Sequence, residues 1–264
     1  MSKYLKQRLQ DGETAHGCWL NSGSALDAEI VGKAGFDWIN IDLEHGVGME
    51  YDLPGQLQAL STSTATPVVR VEALVRQRVG RALDLGAQGI IFPMIKSLEE
   101  ARQAASFMRY PPRGVRGMAT LTRAVDFGLT FEDYYQQEDQ RLLGILQVEY
   151  AGILDHLDDI ARLEAIDVLF VGPADLTLSL GVFRQYDHPL FLEAIEKVAK
   201  FTQKYGKTAG VFMPNTGEYE KYYNLGYRFI GCGSDSIFVM QGAQHMVQAL
   251  RDEGRRSRDQ GSNC

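Results

Sequence analysis

The stretch LLGILQVEYAGILDHLDDIARLEAIDVLFVGPADL, residues 142–176, decides how the chain is read. Its first eight residues, Leu142–Glu149, form a short apolar run of strand type. A segment of helical pattern follows, and then a second run, DVLFVG at 167–172. Strand, helix and strand in succession form the repeating unit of a parallel sheet. Working outward, six further runs fit the same pattern. They are CWLN (18–21), DWINIDLE (37–44), PVVRVE (67–72), GIIFPMI (89–95), TAGVFM (208–213) and RFIGCG (228–233). Eight such runs predict an α/β fold, a closed (β/α)₈ TIM barrel. A doubly wound open sheet would want a phosphate-binding glycine fingerprint after its first strand, and CWLNSGSALDAE is a poor one.

The linking segments read as helices. In SLEEARQAASFMRY, Ser97 followed three residues later by Glu100 is a capping box. The longest connection, Tyr110 to about Arg141, carries PPRGVRG and an acidic helical piece, FEDYYQQED. Connections of that length are often lids or binding loops. From about residue 252 the chain is polar and is expected to fray. The 264 residues fit one barrel domain spanning 1–264.

Composition narrows the function classes. With 27 Lys and Arg against 34 Asp and Glu, the formal charge is -7, which attracts neither nucleic acid nor an anionic membrane. No apolar run is long enough to span a bilayer, and the opening MSKYLKQRLQDGE has no apolar signal core. Cys18, Cys232 and Cys264 are odd in number and scattered, as in a reducing compartment. The expected location is the cytoplasm.

A barrel of this kind works at the carboxyl ends of its strands. There the sequence places Asp42-Leu43-Glu44-His45, Arg70 and Glu72, Gln147-Val148-Glu149, and Gly172-Pro173-Ala174-Asp175. Strand alternation sends Gln147 and Glu149 together into the mouth. Glu149 and Asp175, ending neighbouring strands, offer oxygen ligands suited to a hard divalent cation such as magnesium or manganese. Arg70 is either the cation facing a developing enolate or a salt-bridge partner of Glu72, Asp42 or Glu44. The N–H groups around Gly172 to Asp175 open a short helix and suit a substrate carboxylate. His45 is either a proton shuttle or a packed loop residue. Arg113 and Arg116 are open between solvated charges and contacts to an anionic substrate tail. Trp19 and Cys232 read as core, with Trp19 also placed to floor the pocket.

The segments AGFDWINIDLEHG, PVVRV, LDLGAQGIIFPMI, YPPRGVRG, LQVE, FVGPADLTLSLG and AGVF, taken together, resemble the HpcH/HpaI family of pyruvate-dependent class II aldolases over nearly the whole chain. The resemblance implies a phosphoenolpyruvate/pyruvate-type barrel and a cofactor that is a divalent cation, magnesium, manganese or cobalt. It implies that the substrates are pyruvate or a related 2-oxo acid and an aldehyde. It also implies that Glu149 and Asp175 bind the metal, that Gln147 and the Ala174–Asp175 backbone hold the 2-oxo acid, that Arg70 stabilises the enolate, and that His45 is the base. Asp84 matches a position that raises the basicity of that histidine. Because the helix after the third strand descends the outside of the barrel, Asp84 is expected far from His45 of its own chain. It would serve a neighbour's site in a homo-oligomer, and the resemblance implies a hexamer. GVGME after His45 and MATLTRAVDFG after YPPRGVRG depart from the pattern of the heptanedioate aldolases, which leaves the aldehyde open; Phe212 is expected to shape that half of the pocket. Three rival readings remain: a Schiff-base aldolase using Lys96, an acyl-CoA lyase of the citrate lyase β-subunit type, and a noncatalytic barrel that binds 2-oxo acids.

Overall fold

The computed structural model of the protein describes residues 3–261. Eight parallel strands close on themselves in sequence order. They are β1 (Ala15–Leu20), β2 (Trp38–Asp42), β3 (Thr66–Arg70), β4 (Gly89–Phe92), β5 (Leu143–Val148), β6 (Val168–Val171), β7 (Thr208–Met213) and β8 (Tyr227–Ser234). Every run read from the sequence overlaps its strand, although β1 begins three residues before CWLN and β3 and β8 each begin one residue before theirs, and the fold is the expected (β/α)₈ barrel. The strands β2, β4, β5 and β6 are buried at every position, because helices cover the outside and side chains fill the inside.

Alternation along each strand divides the apolar residues into two cores. Ile39, Ile41, Val69, Ile90, Leu146, Leu169 and Val211 point outward into a large layer shared with the helices. Trp19, Trp38, Val68, Ile91, Ile145, Phe170 and Phe229 point inward and fill the barrel. The inner packing is aromatic: Trp38 stacks on Phe229 with ring centroids 4.0 Å apart, and Trp19 lies 5.6 Å from Phe170. Rings of that size fit because a glycine faces them. A Cβ on Gly17 would stand 2.1 Å from the Trp38 ring. The helix Leu5–Gln10 closes the bottom, with Leu5 and Leu9 in the inner core and Lys6 paired to Asp167 at 2.8 Å.

Local signals place the helices. Ser97 accepts from the Glu100 N–H, and the Glu100 carboxylate reaches back to the N–H of Lys96 at 2.6 Å, one residue earlier than the simplest capping box. Two connections differ from expectation. The polar segment after residue 251 does not fray at once, since one helix runs Asp235–Gly261; Cys264 lies outside the described residues. On that helix Val239, Met240, Met246, Val247 and Leu250 remain exposed. The connection Tyr110–Arg141 is built around Tyr110, Val125 and Tyr134, which pack on each other and not over the barrel mouth. Among the described residues no helix is long and apolar enough to cross a membrane.

The inner packing can be tested through its smallest member. Gly17→Ala forces the added methyl into Trp38 and should lower stability by about 1–3 kcal/mol, as overpacked cores do. Urea denaturation reads this directly; an unchanged midpoint would show slack inside the barrel.

Candidate active site

A cavity of about 350 Å³ opens at the carboxyl ends of the strands. Trp19 and Phe212, 4.6 Å apart, make its apolar floor, and Asp42, His45, Arg70, Gln147, Glu149, Gly172, Ala174 and Asp175 are among the residues that line it. Seven of the eight expected site residues therefore meet in one space.

The arrangement rests on Asp42. Register pairs Asp42 of β2 with Arg70 of β3, so their inward side chains are neighbours. Arg70 donates from Nε and Nη2 to the two Asp42 oxygens at 2.8 and 2.7 Å, a bidentate pair that is almost fully buried. Its Nη1 lies 3.0 Å from Glu44. Burial works against the Arg70 charge, yet the Asp42 bonds and the charges of Asp42, Glu44 and Glu149 hold its pKa above the ordinary value. Asp42 Oδ1 also accepts from the N–H groups of Glu44 and His45, at 3.1 and 3.3 Å. One carboxylate thus orients the guanidinium and the loop that carries His45, whose exposed ring lies 3.8 Å from Glu44. Arg70 is thus a salt-bridge partner of Asp42 and Glu44 that also lines the cavity. Glu72 pairs instead with Arg78.

Across the mouth, Glu149 is buried and held by two donors. Gln147 Nε2 donates to it at 2.7 Å, and the Met94 N–H donates at 3.0 Å from a left-handed backbone, φ 54°. Gly172 leaves the space in which Glu149 lies, since a Cβ there would stand 2.7 Å from Oε1. The Gly172 N–H is spent on Val148 O at 3.4 Å. The free donors of that turn are therefore those of Ala174 and Asp175, at the start of the helix Pro173–Ser179.

Electrostatics then define what fits. Burial, helped by the charges of Asp175 and Glu44, pushes the Glu149 carboxyl up to about 7. Burial likewise raises Glu44. Among the described residues lining the cavity, Arg70 and His45 are the basic ones, against Asp42, Glu149 and Asp175, with Glu44 adjoining. That surplus of carboxylate oxygen, together with the buried Gln147 Oε1 that has no partner among the described residues, suits a hard divalent cation with a polar ligand beside it. Among the described residues no three His, Cys, Asp or Glu side chains form a closed cage. A cation here would draw its other ligands from water and substrate.

Asp84 stands apart. It ends the helix Arg76–Asp84 and pairs with buried Arg116 at 3.0 Å, beside a second cavity lined also by Gly117, Met118, Ala119 and Phe127. Arg116 is clasped by Tyr110 and Tyr134, and Arg113 pairs with Glu138 and Asp139, so neither arginine reaches this chain's own mouth. MATLTRAVDFG follows them to that second cavity. Lys96 is absent from the mouth, as is every other lysine of the described residues. Sequence reasoning missed Asn21, Tyr186, Pro214, Ser234 and Ile237, which complete the lining.

A parallel barrel with carboxylates and a buried arginine at the carboxyl ends of its strands defines an enzyme class that handles small anionic carbon compounds. The chain belongs to the HpcH/HpaI aldolase/citrate lyase family, whose profile matches residues 15–241. It is 38% identical over 232 residues to a hydroxypyruvate/pyruvate aldolase of Agrobacterium fabrum, covering 88% of this chain and 87% of that one. It is 35% identical over 263 residues to a 2-keto-3-deoxy-L-rhamnonate aldolase of Escherichia coli, covering 99% and 98%. The crystal structure of an HpcH/HpaI aldolase/citrate lyase family protein from Burkholderia cenocepacia superposes with a TM-score of 0.88 at 37% identity, covering 94% and 98%. The chain is accordingly an aldolase, a carbon–carbon lyase.

The Asp42–Arg70 pair yields a prediction about stability. Arg70→Ala leaves a buried carboxylate without its cation and should cost about 3–5 kcal/mol of unfolding free energy. Asp42→Asn together with Arg70→Gln should cost less than Arg70→Ala alone. Equal losses would mean that the pair contributes through shape and not charge.

Proposed function

We propose that the chain is a single-domain, metal-dependent class II aldolase of the cytoplasm that joins and separates an aldehyde and the enolate of pyruvate or a close 2-oxo acid such as hydroxypyruvate. The observation that carries this reading is the carboxylate surplus of Glu149 and Asp175 facing buried, preoriented Arg70 across one small cavity. The names of the Agrobacterium and Escherichia relatives agree with a 2-oxo acid substrate.

A divalent cation held by Glu149 and Asp175, magnesium, manganese or cobalt, would supply the positive charge that polarises the 2-oxo carbonyl. Gln147, whose Oε1 has no partner among the described residues, and the N–H groups of Ala174 and Asp175 hold and orient the 2-oxo acid, with Gly172 keeping the approach open. In cleavage, His45 takes the hydroxyl proton of the aldol as the carbon–carbon bond breaks. The bonding electrons pass into the 2-oxo acid half, whose enolate oxygen faces Arg70. In addition the electrons return to the aldehyde carbon, and His45 gives the proton back.

Two features support a homo-oligomer, a hexamer by family resemblance. Asp84 lies outside its own mouth, and the exposed apolar residues of the helix Asp235–Gly261 fit a second copy of this chain. In that assembly Asp84 serves the His45 of a neighbour.

Chelation should abolish aldol turnover, and magnesium, manganese or cobalt should restore it, while borohydride with pyruvate leaves the protein mass unchanged. A covalent adduct on Lys96 would replace this mechanism with a Schiff base. For the shared site, Asp84→Ala and His45→Ala proteins, each nearly inactive, are mixed under conditions of subunit exchange. Activity should rise with mixing time toward a fraction of wild type; exchange verified by mass without recovery would place Asp84 outside the reaction.

A further inference from the structure

We propose that Arg116 is the positioning residue for Asp84: buried within the long loop, it fixes that carboxylate at the surface with one oxygen left free for a neighbouring subunit. This rests on the shared-site reading above and adds the group that makes Asp84 fit for it.

Asp84 stands in an unfavourable place. It is the last residue of the helix Arg76–Asp84, where the dipole favours a cation and opposes a carboxylate. One side-chain contact holds it there. Its Oδ1 accepts from Arg116 Nη2 at 3.0 Å, and Oδ2 has no hydrogen-bond partner among the described residues. The carboxylate stays partly exposed on the wall of the second cavity, of about 540 Å³, beside Met118 and Phe127.

Arg116, in contrast, is only 1% exposed. Removing a guanidinium from water is costly, and two rings meet it: its Cζ lies 4.6 Å from the Tyr110 ring and 5.5 Å from that of Tyr134, whose hydroxyl accepts from Nη1 at 3.0 Å. The backbone is fixed as well. The Arg116 N–H donates to Arg109 O and the Val115 N–H to Ser106 O, both at 2.9 Å, and Gly114 permits this approach, since a Cβ there would meet the Ser106 carbonyl. A loop core has no need of a cation between two tyrosines, because an apolar side chain of similar volume packs there at less cost. The carboxylate accounts for it.

One bond from a fixed donor keeps Asp84 ionised, sets its orientation and leaves Oδ2 for a second donor. The loop that follows His45 exposes Val47, Met49 and Tyr51, an apolar match for Met118 and Phe127 beside Asp84. When that loop of one copy meets the second cavity of another, the imidazole finds an acceptor already in place. The ordering cost is met in the isolated subunit, by Arg116 and its two rings, and not at the moment of reaction.

The test is kinetic and uses the full assembly. Arg116→Gln should lower kcat by about 10–100-fold, the scale of a misplaced group, with KM for the 2-oxo acid unchanged, and Arg116→Lys should recover part of the loss. Asp84→Asn combined with Arg116→Gln should be no slower than Asp84→Asn alone, because a group that acts through another costs nothing once the other is gone. Under subunit exchange, Arg116→Gln should regain activity when mixed with His45→Ala and not when mixed with Asp84→Ala. Tyr134→Phe, which keeps the ring and removes the hydroxyl, should lower kcat in the same direction by less. Losses that multiply in the double variant, a raised KM with kcat intact, or wild-type turnover in Arg116→Gln would overturn the proposal. If Arg116→Gln does not fold, Arg116→Lys and Tyr134→Phe decide, and wild-type kcat in both would overturn it. Asp84→Asn alone separates the two levels: if it keeps wild-type turnover the shared-site reading fails, and if it is impaired while the Arg116 and Tyr134 variants are not, only the role of Arg116 fails.

Discussion

The Asp42–Arg70 pair is the contact on which the rest of the mouth depends. Opposite charges in a buried barrel are costly to place, and the cost is offset only when geometry satisfies both groups. Here the register of β2 against β3 brings the two side chains together, and the fork of the guanidinium meets both carboxylate oxygens. The remaining Asp42 bonds go to the N–H groups of Glu44 and His45. A rigid strand pair therefore orients a loop, and the loop carries the residue assigned to move the proton. Positioning passes from sheet to side chain to loop through one carboxylate.

The opposite wall uses a different device. Glu149 is kept in a place where its charge is unfavourable, and the surroundings hold it there by Gln147, by the Met94 N–H and by the missing side chain of Gly172. The left-handed backbone of Met94 stores strain of the kind that gathers at functional sites. One rim is stabilised by its own ion pair and the other is left short of positive charge. The asymmetry leaves carboxylate oxygen uncompensated on the Glu149 side and the guanidinium already paired on the other.

The barrel was legible because strands covered on both faces, as β2, β4, β5 and β6 are throughout, read as short, mainly apolar runs at regular intervals. The end-of-strand rule then located Asp42, His45, Arg70, Gln147, Glu149, Gly172, Ala174 and Asp175 without any three-dimensional information. What it could not supply was partnership. Three acids were equal candidates for Arg70 until register brought Asp42 opposite and sent Glu72 to Arg78. Gly172 read as a donor, yet its N–H is used by the sheet and its contribution is the absence of a Cβ. Asn21 sat in plain view at the end of the first run, but its place in the cavity wall becomes visible only when its neighbours are known. Ile237 lay beyond reach, since it enters the cavity from a helix that begins after the last strand. The loop Tyr110–Arg141 was long enough for a lid, and only its own small aromatic core shows that it turns away.

The start of that last helix has a further meaning. Asp235 is a rivet: it fastens the end of β1 to the beginning of the helix Asp235–Gly261, and Ile237, two residues along, is part of the cavity wall. The first turn of the helix is part of the rim of the mouth, and its outer length carries the exposed Val239, Met240, Met246, Val247 and Leu250. The cavity wall at Ile237 and the end of β1 at Asn21 are therefore both anchored to one helix start, apart from the Asp42–Arg70 pair and Glu149. A wall of the cavity and the outer surface of the chain are in this way two ends of the same helix.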